Sequence, residues 1–219
     1  MREVNPLVSG VRGWLGSGMD DPTPADVPVS AARGFPPRRD LTDGVVLLRS
    51  PRRSDGPAIV AGATDPEVVR YTVVPSPYGD EDLDKILSIA DEGWREGTDA
   101  VFAVCDAARP DELLGLLGLH GVELGLEPGG RAEIGYWMRP EGRGRGLMTR
   151  AAVLATGWAV HELDVAVLTW YAVVGNEASR RVAEKAGYTI EGTLRRGAKH
   201  RGVLVDTWVG SILAEDLPR

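Results

Sequence analysis

Three glycines and two arginines alternate through residues 142–146, inside the stretch GYWMRPEGRGRGLMTRAA at 135–152. Glycine lets a backbone approach a ligand with no Cβ in the way. Arginine adds charge-assisted hydrogen bonds to an anion. An apolar strand-like run precedes the loop and a helix-like run follows it. The first N–H groups of a helix lack intrahelical partners, and the helix dipole favours negative charge there. The combination suits a phosphate or pyrophosphate. The plainer alternative is an ordinary glycine-rich turn between strand and helix.

Known phosphate loops fit poorly. A Walker loop closes on Gly-Lys-Ser/Thr, whereas Gly146 is followed by Leu147. A dinucleotide fingerprint asks for a third glycine at 149, where Thr149 stands, and an acidic ribose partner that the next strand does not supply. An RNA-binding arginine–glycine tract is longer. The net charge of −7 argues against bulk binding to nucleic acid or to an anionic membrane.

Other reactive side chains are few. Cys105 is the single cysteine and lies in the alternating run VFAVCD. It reads as core, since a free cysteine usually packs as a small hydrophobe. No disulfide is available within the chain, and that fits a reducing cytoplasm. Three histidines and one cysteine make no zinc-type cluster. His120 stands at a strand end, either exposed or passing protons. No stretch has the length of a membrane span or a signal peptide.

The elements that must position these residues follow from periodicity. Residues 1–40 carry six prolines and read as an extension with little regular structure, in which Trp14 and Leu15 would prefer burial. Residues 41–219 read as one domain. GVVLLRS predicts a strand, and PAIVAGATDPEVVRY one or two short helices broken at Pro66. In DEDLDKILSIADEGWREG, Leu83, Ile86, Leu87, Ala90 and Trp94 recur at helical spacing, with Gly97 as the stop. DAVFAVCD, ELLGLLGLHG and RAEIGYWM read as strands divided by turn chemistry. After the loop, Leu147, Ala151, Leu154 and Trp158 mark one helix face. DVAVLTWYAV is a buried-type strand. NEASRRVAEKAG is a helix capped by Asn176 and stopped at Gly187. YTIEGTLR and GVLVDTWVGSIL close the chain. The expected class is α/β (α+β), a mixed central sheet of about seven strands with helices on both faces.

The segments AEIGYWMRPEGRGRGLMTRA, NEASRRVAEKAGYTIEGTLR and VDTWVGSIL together resemble the GNAT acyltransferase superfamily, in its RimJ/RimL-like branch. The resemblance rests on the first two occurring together at this separation, with a strand before and a strand pair after. The resemblance spans about residues 44–215. It implies a GNAT fold in which two splayed parallel strands hold acyl-CoA. The pantetheine arm would meet main-chain groups of Trp137, Met138 and Arg139. The pyrophosphate would sit on amides from Arg143 through Gly144, Arg145, Gly146, Leu147 and Met148 to Thr149. Asn176 and Ser179 would border the thioester, and Arg181 would reach phosphate or adenine. One position departs from the family: Glu141 stands where Gln or Arg is usual, and it would repel pyrophosphate unless it turns away or pairs with Arg143 or Arg145.

The implied reaction is direct attack of an amine on an acyl thioester, with acetyl-CoA as expected cosubstrate and no metal. Only a neutral amine attacks, so a proton acceptor helps. Glu133 is the implied base. It shares one strand face with Gly135 and Trp137, while Ile134, Tyr136 and Met138 share the other; a solvated strand end is its alternative. Ser179 is the implied acid, against a simple first-turn serine, and Tyr188 is a lesser candidate. The function implied is N-acetylation of a protein N-terminus, lysine or small-molecule amine, with specificity drawn from residues 65–97 and the loop RRGAKHRG. A CoA-binding sensor without activity, or a donor such as succinyl-CoA, stays open, as does a homodimer. No nucleic-acid or membrane partner is expected.

Overall fold

The computed structural model describes residues 34–217, so the expected docking of Trp14 and Leu15 lies outside the described residues. Eight strands form one sheet in the order β1-β2-β3-β4-β5-β6-β8-β7. They are β1 (Leu41–Thr42), β2 (Val46–Arg49), β3 (Ala100–Asp106), β4 (Arg109–Glu123), β5 (Gly130–Met138), β6 (Val165–Val173), β7 (Thr189–His200) and β8 (Val203–Leu213). Five α-helices accompany them among the described residues: α1 (Gly56–Ala63), α2 (Pro66–Tyr71), α3 (Asp80–Glu96), α4 (Leu147–Leu163) and α5 (Glu177–Lys185). The strand beyond the expected seven is the two-residue β1, too short to leave a periodic signal.

Alternation along β3 divides the core. Ala100, Phe102 and Val104 pack with Ala151, Ala155 and Trp158 of α4 on one face. Val101, Ala103 and Cys105 pack with Ile59 of α1 and Leu83 and Ile86 of α3 on the other. Helix α3 ends at Gly97, whose φ of 75° is left-handed, a conformation glycine takes without steric cost. Residues ahead of β1 also join the core. Phe35 packs edge-on to Trp94 and Trp158, and Trp94 Nε1–H donates to the Pro36 carbonyl at 2.9 Å.

One expectation about the closing strands changes. RRGAKH, loop-like in its glycine and charges, continues β7 as far as His200. The register slips between Leu194 and Ala198. Arg196 takes a φ of 53° there, and its N–H donates to Asp206 at 2.8 Å. A bulge thus absorbs the glycine-containing stretch without ending the strand.

The site depends on how β5 meets its neighbours. β4 pairs with it antiparallel through to Gly115↔Met138. β6 pairs with it parallel, but only from Gly130↔Val165 to Ile134↔Trp170. Both strands continue past that point, to Met138 and Val173. They therefore part into a V-shaped gap, lined by the first turns of both α4 and α5.

Candidate active site

The parting of β5 and β6 makes two cavities with a common wall. The larger, about 380 Å³, runs along the Gly142–Thr149 loop and the first turns of α4 and α5. The smaller, about 110 Å³, lies where β4, β5, β6 and β7 face the α2–α3 connection. Tyr71, Thr72, Tyr136, Trp137, Asn176 and Ser179 line both.

The larger cavity has the chemistry of an anion site. Gly144 and Gly146 have φ of 72° and 76°, and no atom stands within 4 Å of where a Cβ would lie on either. Helix α4 starts at Leu147 with no side-chain cap. The leading amides of α4 therefore have no capping side chain, and Leu147, Met148 and Thr149 line the groove. Arg143, Arg181 and Lys185 supply positive charge against the single carboxylate of Glu67.

Most of the expected binding residues line this groove: Trp137, Met138, Arg143, Gly144, Gly146, Leu147, Met148, Thr149, Asn176, Ser179 and Arg181. Arg139 and Arg145 do not. Arg145 pairs with Asp106. Arg139 donates to the Leu113 carbonyl at 3.0 Å and pairs with Glu141 at 3.3 Å. Glu141 is thus held by Arg139 rather than by Arg143 or Arg145, and its exposed carboxylate is outside the groove lining. Two main-chain groups expected to meet pantetheine have partners within the chain. The Met138 carbonyl accepts from Arg143 Nε at 2.9 Å, and the Arg139 N–H donates to Leu114 at 2.8 Å.

Arg143 has a second partner, Asp65. Asp65 caps α2, accepting from the N–H groups of Glu67 and Val68 at 3.1 and 3.2 Å. Burial works against its charge, but the Arg143 hydrogen bond and the two amides prevail, and its carboxyl lies below the usual range.

The two expected catalytic residues come together on the smaller cavity. Glu133 and Ser179 both line it. Ser179 sits in the first turn of α5, where Asn176 Oδ1 accepts its N–H at 3.2 Å. Trp170 Nε1–H donates to Ser179 Oγ at 3.1 Å. Indole is a donor only, so the serine oxygen accepts there and its hydrogen points elsewhere. Tyr136 Oη–H donates to the Ser179 carbonyl at 3.0 Å, and burial pushes that phenol well above its ordinary pKa.

Tyr188 is elsewhere. It is buried in the core against Thr156, with the two hydroxyls 2.9 Å apart, and it lines neither cavity. Cys105 is wholly buried, and burial pushes its thiol up to about 11. His120 is not an exposed strand end; it is 2% exposed. The sequence reading missed Tyr136 as a shared wall, although it stands in GYW between two assigned neighbours. It also missed Asp65, 78 residues from Arg143, for which no local signal exists. Among the described residues no helix is long and apolar enough to cross a membrane.

A fold with two splayed parallel strands, a glycine-rich loop on an uncapped helix and a second cavity across the gap defines an acyltransferase-type architecture. Residues 46–189 match the model of the acetyltransferase (GNAT) domain. The chain belongs to that family. It is 35% identical over 104 residues to the putative ribosomal N-acetyltransferase YdaF of Bacillus subtilis (strain 168), covering 48% of this chain and 55% of that protein. It is 36% identical over 109 residues to the probable N-acetyltransferase YjcK of the same organism, covering 50% and 59%. These matches span little more than half of either relative. Among solved structures, RimJ of Mycobacterium smegmatis in complex with a CoA disulfide superimposes with a TM-score of 0.69 at 25% identity, covering 83% of this chain and 88% of that one.

Proposed function

We propose that this chain is an acyl-CoA-dependent N-acetyltransferase acting on a primary amine. The observation that carries the reading is the pair of cavities sharing a wall where β5 and β6 part. The larger cavity takes the cosubstrate and the smaller takes the acceptor. RimJ, whose solved complex holds a CoA disulfide, and relatives named as N-acetyltransferases support acyl-CoA and acetyl transfer.

In this reading the α4 amides and the glycine loop hold pyrophosphate, and Arg143 and Arg181 add charge. A lysine amine has a solution pKa near 10.4 and an α-amine one near 7.7–8.0, so both are largely protonated at neutral pH. Glu133, on the acceptor wall, takes the proton that keeps the amine from attacking. Ser179, on the shared wall with its oxygen accepting from Trp170, gives its proton to the departing sulfur. The apolar side chains of the gap keep water from competing.

The test is acetyl-CoA incubated with a panel of amines: peptides with free N-termini, lysine and a polyamine. Free thiol release should depend on the amine, and mass spectrometry should find the acetylated amine. Tight CoA binding with no transfer to any amine would overturn the reading and leave a CoA sensor.

A further inference from the structure

The acceptor cavity has a buried second layer. His120 on β4 stands directly opposite Glu133 on β5 in the antiparallel register. Residues so paired share a face, with Cβ atoms about 4.5–5.5 Å apart. The next pair along, Gly118↔Gly135, has no side chains. The imidazole fills that space: a Cβ on Gly118 would lie 2.2 Å from His120 Nε2. The ring therefore leans along the sheet toward the parting of β5 and β6. On its other side His120 Nδ1 is 3.0 Å from Asp99 Oδ1.

That contact sets the tautomer. A carboxylate at Nδ1 holds the proton there and leaves Nε2 as the basic atom of the neutral ring. Asp99 comes from the α3–β3 connection, His120 from β4 and Glu133 from β5, so three separate segments converge. Both His120 and Glu133 line the acceptor cavity. The other titratable groups lining it are Tyr71 of α2, Tyr136 of β5, Tyr171 of β6, and Lys199 and His200 of β7. Burial first, then the Glu133 charge, raises the Tyr171 phenol. Burial first, then Arg201, lowers His200. Neither of them is in register with Glu133 as His120 is.

We propose that Asp99, His120 and Glu133 form a proton relay for the acceptor amine, resting on the acetyl-transfer reading above. Glu133 is the group that meets the amine. A lone carboxylate is a weak base for an ammonium, because its ordinary pKa near 4.3 lies far below the amine's. His120 acts through Glu133: it takes the proton onward at Nε2, with the Asp99 carboxylate at Nδ1 balancing the charge. The neutral amine attacks the thioester carbonyl carbon, the C–N bond forms and the C–S bond breaks. One amine proton leaves through the relay to water. The second replaces the hydroxyl proton that Ser179 gives to the sulfur. Asp99 and His120 are positioning and relay residues.

The experiment compares wild type with His120→Asn, Asp99→Asn and Gly118→Ala, using acetyl-CoA and the best amine of the panel. Asn at 120 can still donate to Asp99 but has no Nε2. Gly118→Ala displaces the ring and removes no titratable group. The expected result is a drop in kcat/KM of about 10–100-fold near neutral pH. The acid limb of the profile should move upward, and the defect should shrink as pH approaches the amine's own pKa. CoA binding by calorimetry should be unchanged. Profiles that superimpose on wild type, or a loss equal at every pH, overturn the relay and leave acetyl transfer standing. If His120→Asn does not fold, the other two variants carry the measurement. If the wild type acetylates none of the amines, the transfer reading fails and the relay fails with it.

Discussion

Arg143 of the glycine-rich loop is ion-paired with Asp65, the residue that caps α2. One carboxylate therefore joins the glycine-rich loop of the larger cavity to the helix whose last turn, at Tyr71, walls the smaller one. The pair also partly neutralises an arginine that lines the larger cavity.

Asp65→Asn tests that balance. Asparagine caps a helix as well as aspartate does, so α2 should persist while Arg143 loses its counter-charge. CoA should bind several-fold more tightly, by at most about 1 kcal/mol for so exposed a guanidinium. The gain should fade with added salt. Asp65 also titrates below the usual carboxylate range. Its contribution to stability is present above the unfolded value near 3.9 and is lost as pH falls through the lower folded value. The variant should lack that part of the acid limb in urea midpoints measured against pH.

Gly146→Asp should do the reverse to CoA. The φ of 76° is one that aspartate tolerates better than most residues, and nothing stands near the new Cβ. The fold should survive while a carboxylate enters the groove at the N-terminus of α4. Calorimetry should show the CoA Kd rising about 10–100-fold, or roughly 1.4–2.7 kcal/mol. Gly146→Ala, which adds a Cβ without charge, should cost less. Unchanged affinity in a folded aspartate variant would sink the assignment of this loop.

Ser179→Ala separates chemistry from packing. Loss of a general acid lowers kcat by about 10² or more, and CoA affinity should hold. The variant also leaves Trp170 Nε1 without its acceptor, at a cost of about 1–3 kcal/mol in unfolding free energy. A fall in stability with kcat intact would make Ser179 only the partner of that indole.

Features carried by local pattern were legible in the sequence. Gly97 and Gly187 end helices where glycine is needed, Asn176 caps α5, and the apolar face of α4 is buried at Leu147, Ala151 and Trp158. The period-two alternation of β5 is legible too, with Ile134 and Met138 packed in one cluster and Trp137 in the other. Pairing at long range was not legible. Nothing near residue 143 points to Asp65, and nothing near residue 120 points to Asp99. The fate of Glu141 turned on Arg139, two residues away, whose side chain direction depends on β4. RRGAKH looked like a loop because its glycine and charges are turn chemistry, yet hydrogen bonding to β8 holds it as strand.

The buried pair of Arg49 and Asp55 shows how firmly the far face of the site is built. Both side chains are 2–3% exposed, with Arg49 Nη2 and Asp55 Oδ1 2.7 Å apart and Nη1 and Oδ2 2.8 Å apart. Arg49 also donates to the carbonyls of Pro110 and Ser50, and Asp55 accepts the Arg52 N–H at 2.7 Å. Asp55 immediately precedes α1, so the pair fixes that helix to β2 and β4. Asp55→Ala leaves a buried guanidinium without its counter-charge and should lower unfolding free energy by about 3–5 kcal/mol. Arg49→Met should cost about as much for the converse reason. Replacing both residues by apolar ones should recover only part of the loss. The carbonyls of Pro110 and Ser50 and the Arg52 N–H would exchange their side-chain partners for water, whereas a pair bonded only to each other could be replaced at little cost. Denaturant midpoints of the two single variants and the double variant decide this. Full recovery in the double variant would mean that the surrounding backbone groups find other partners.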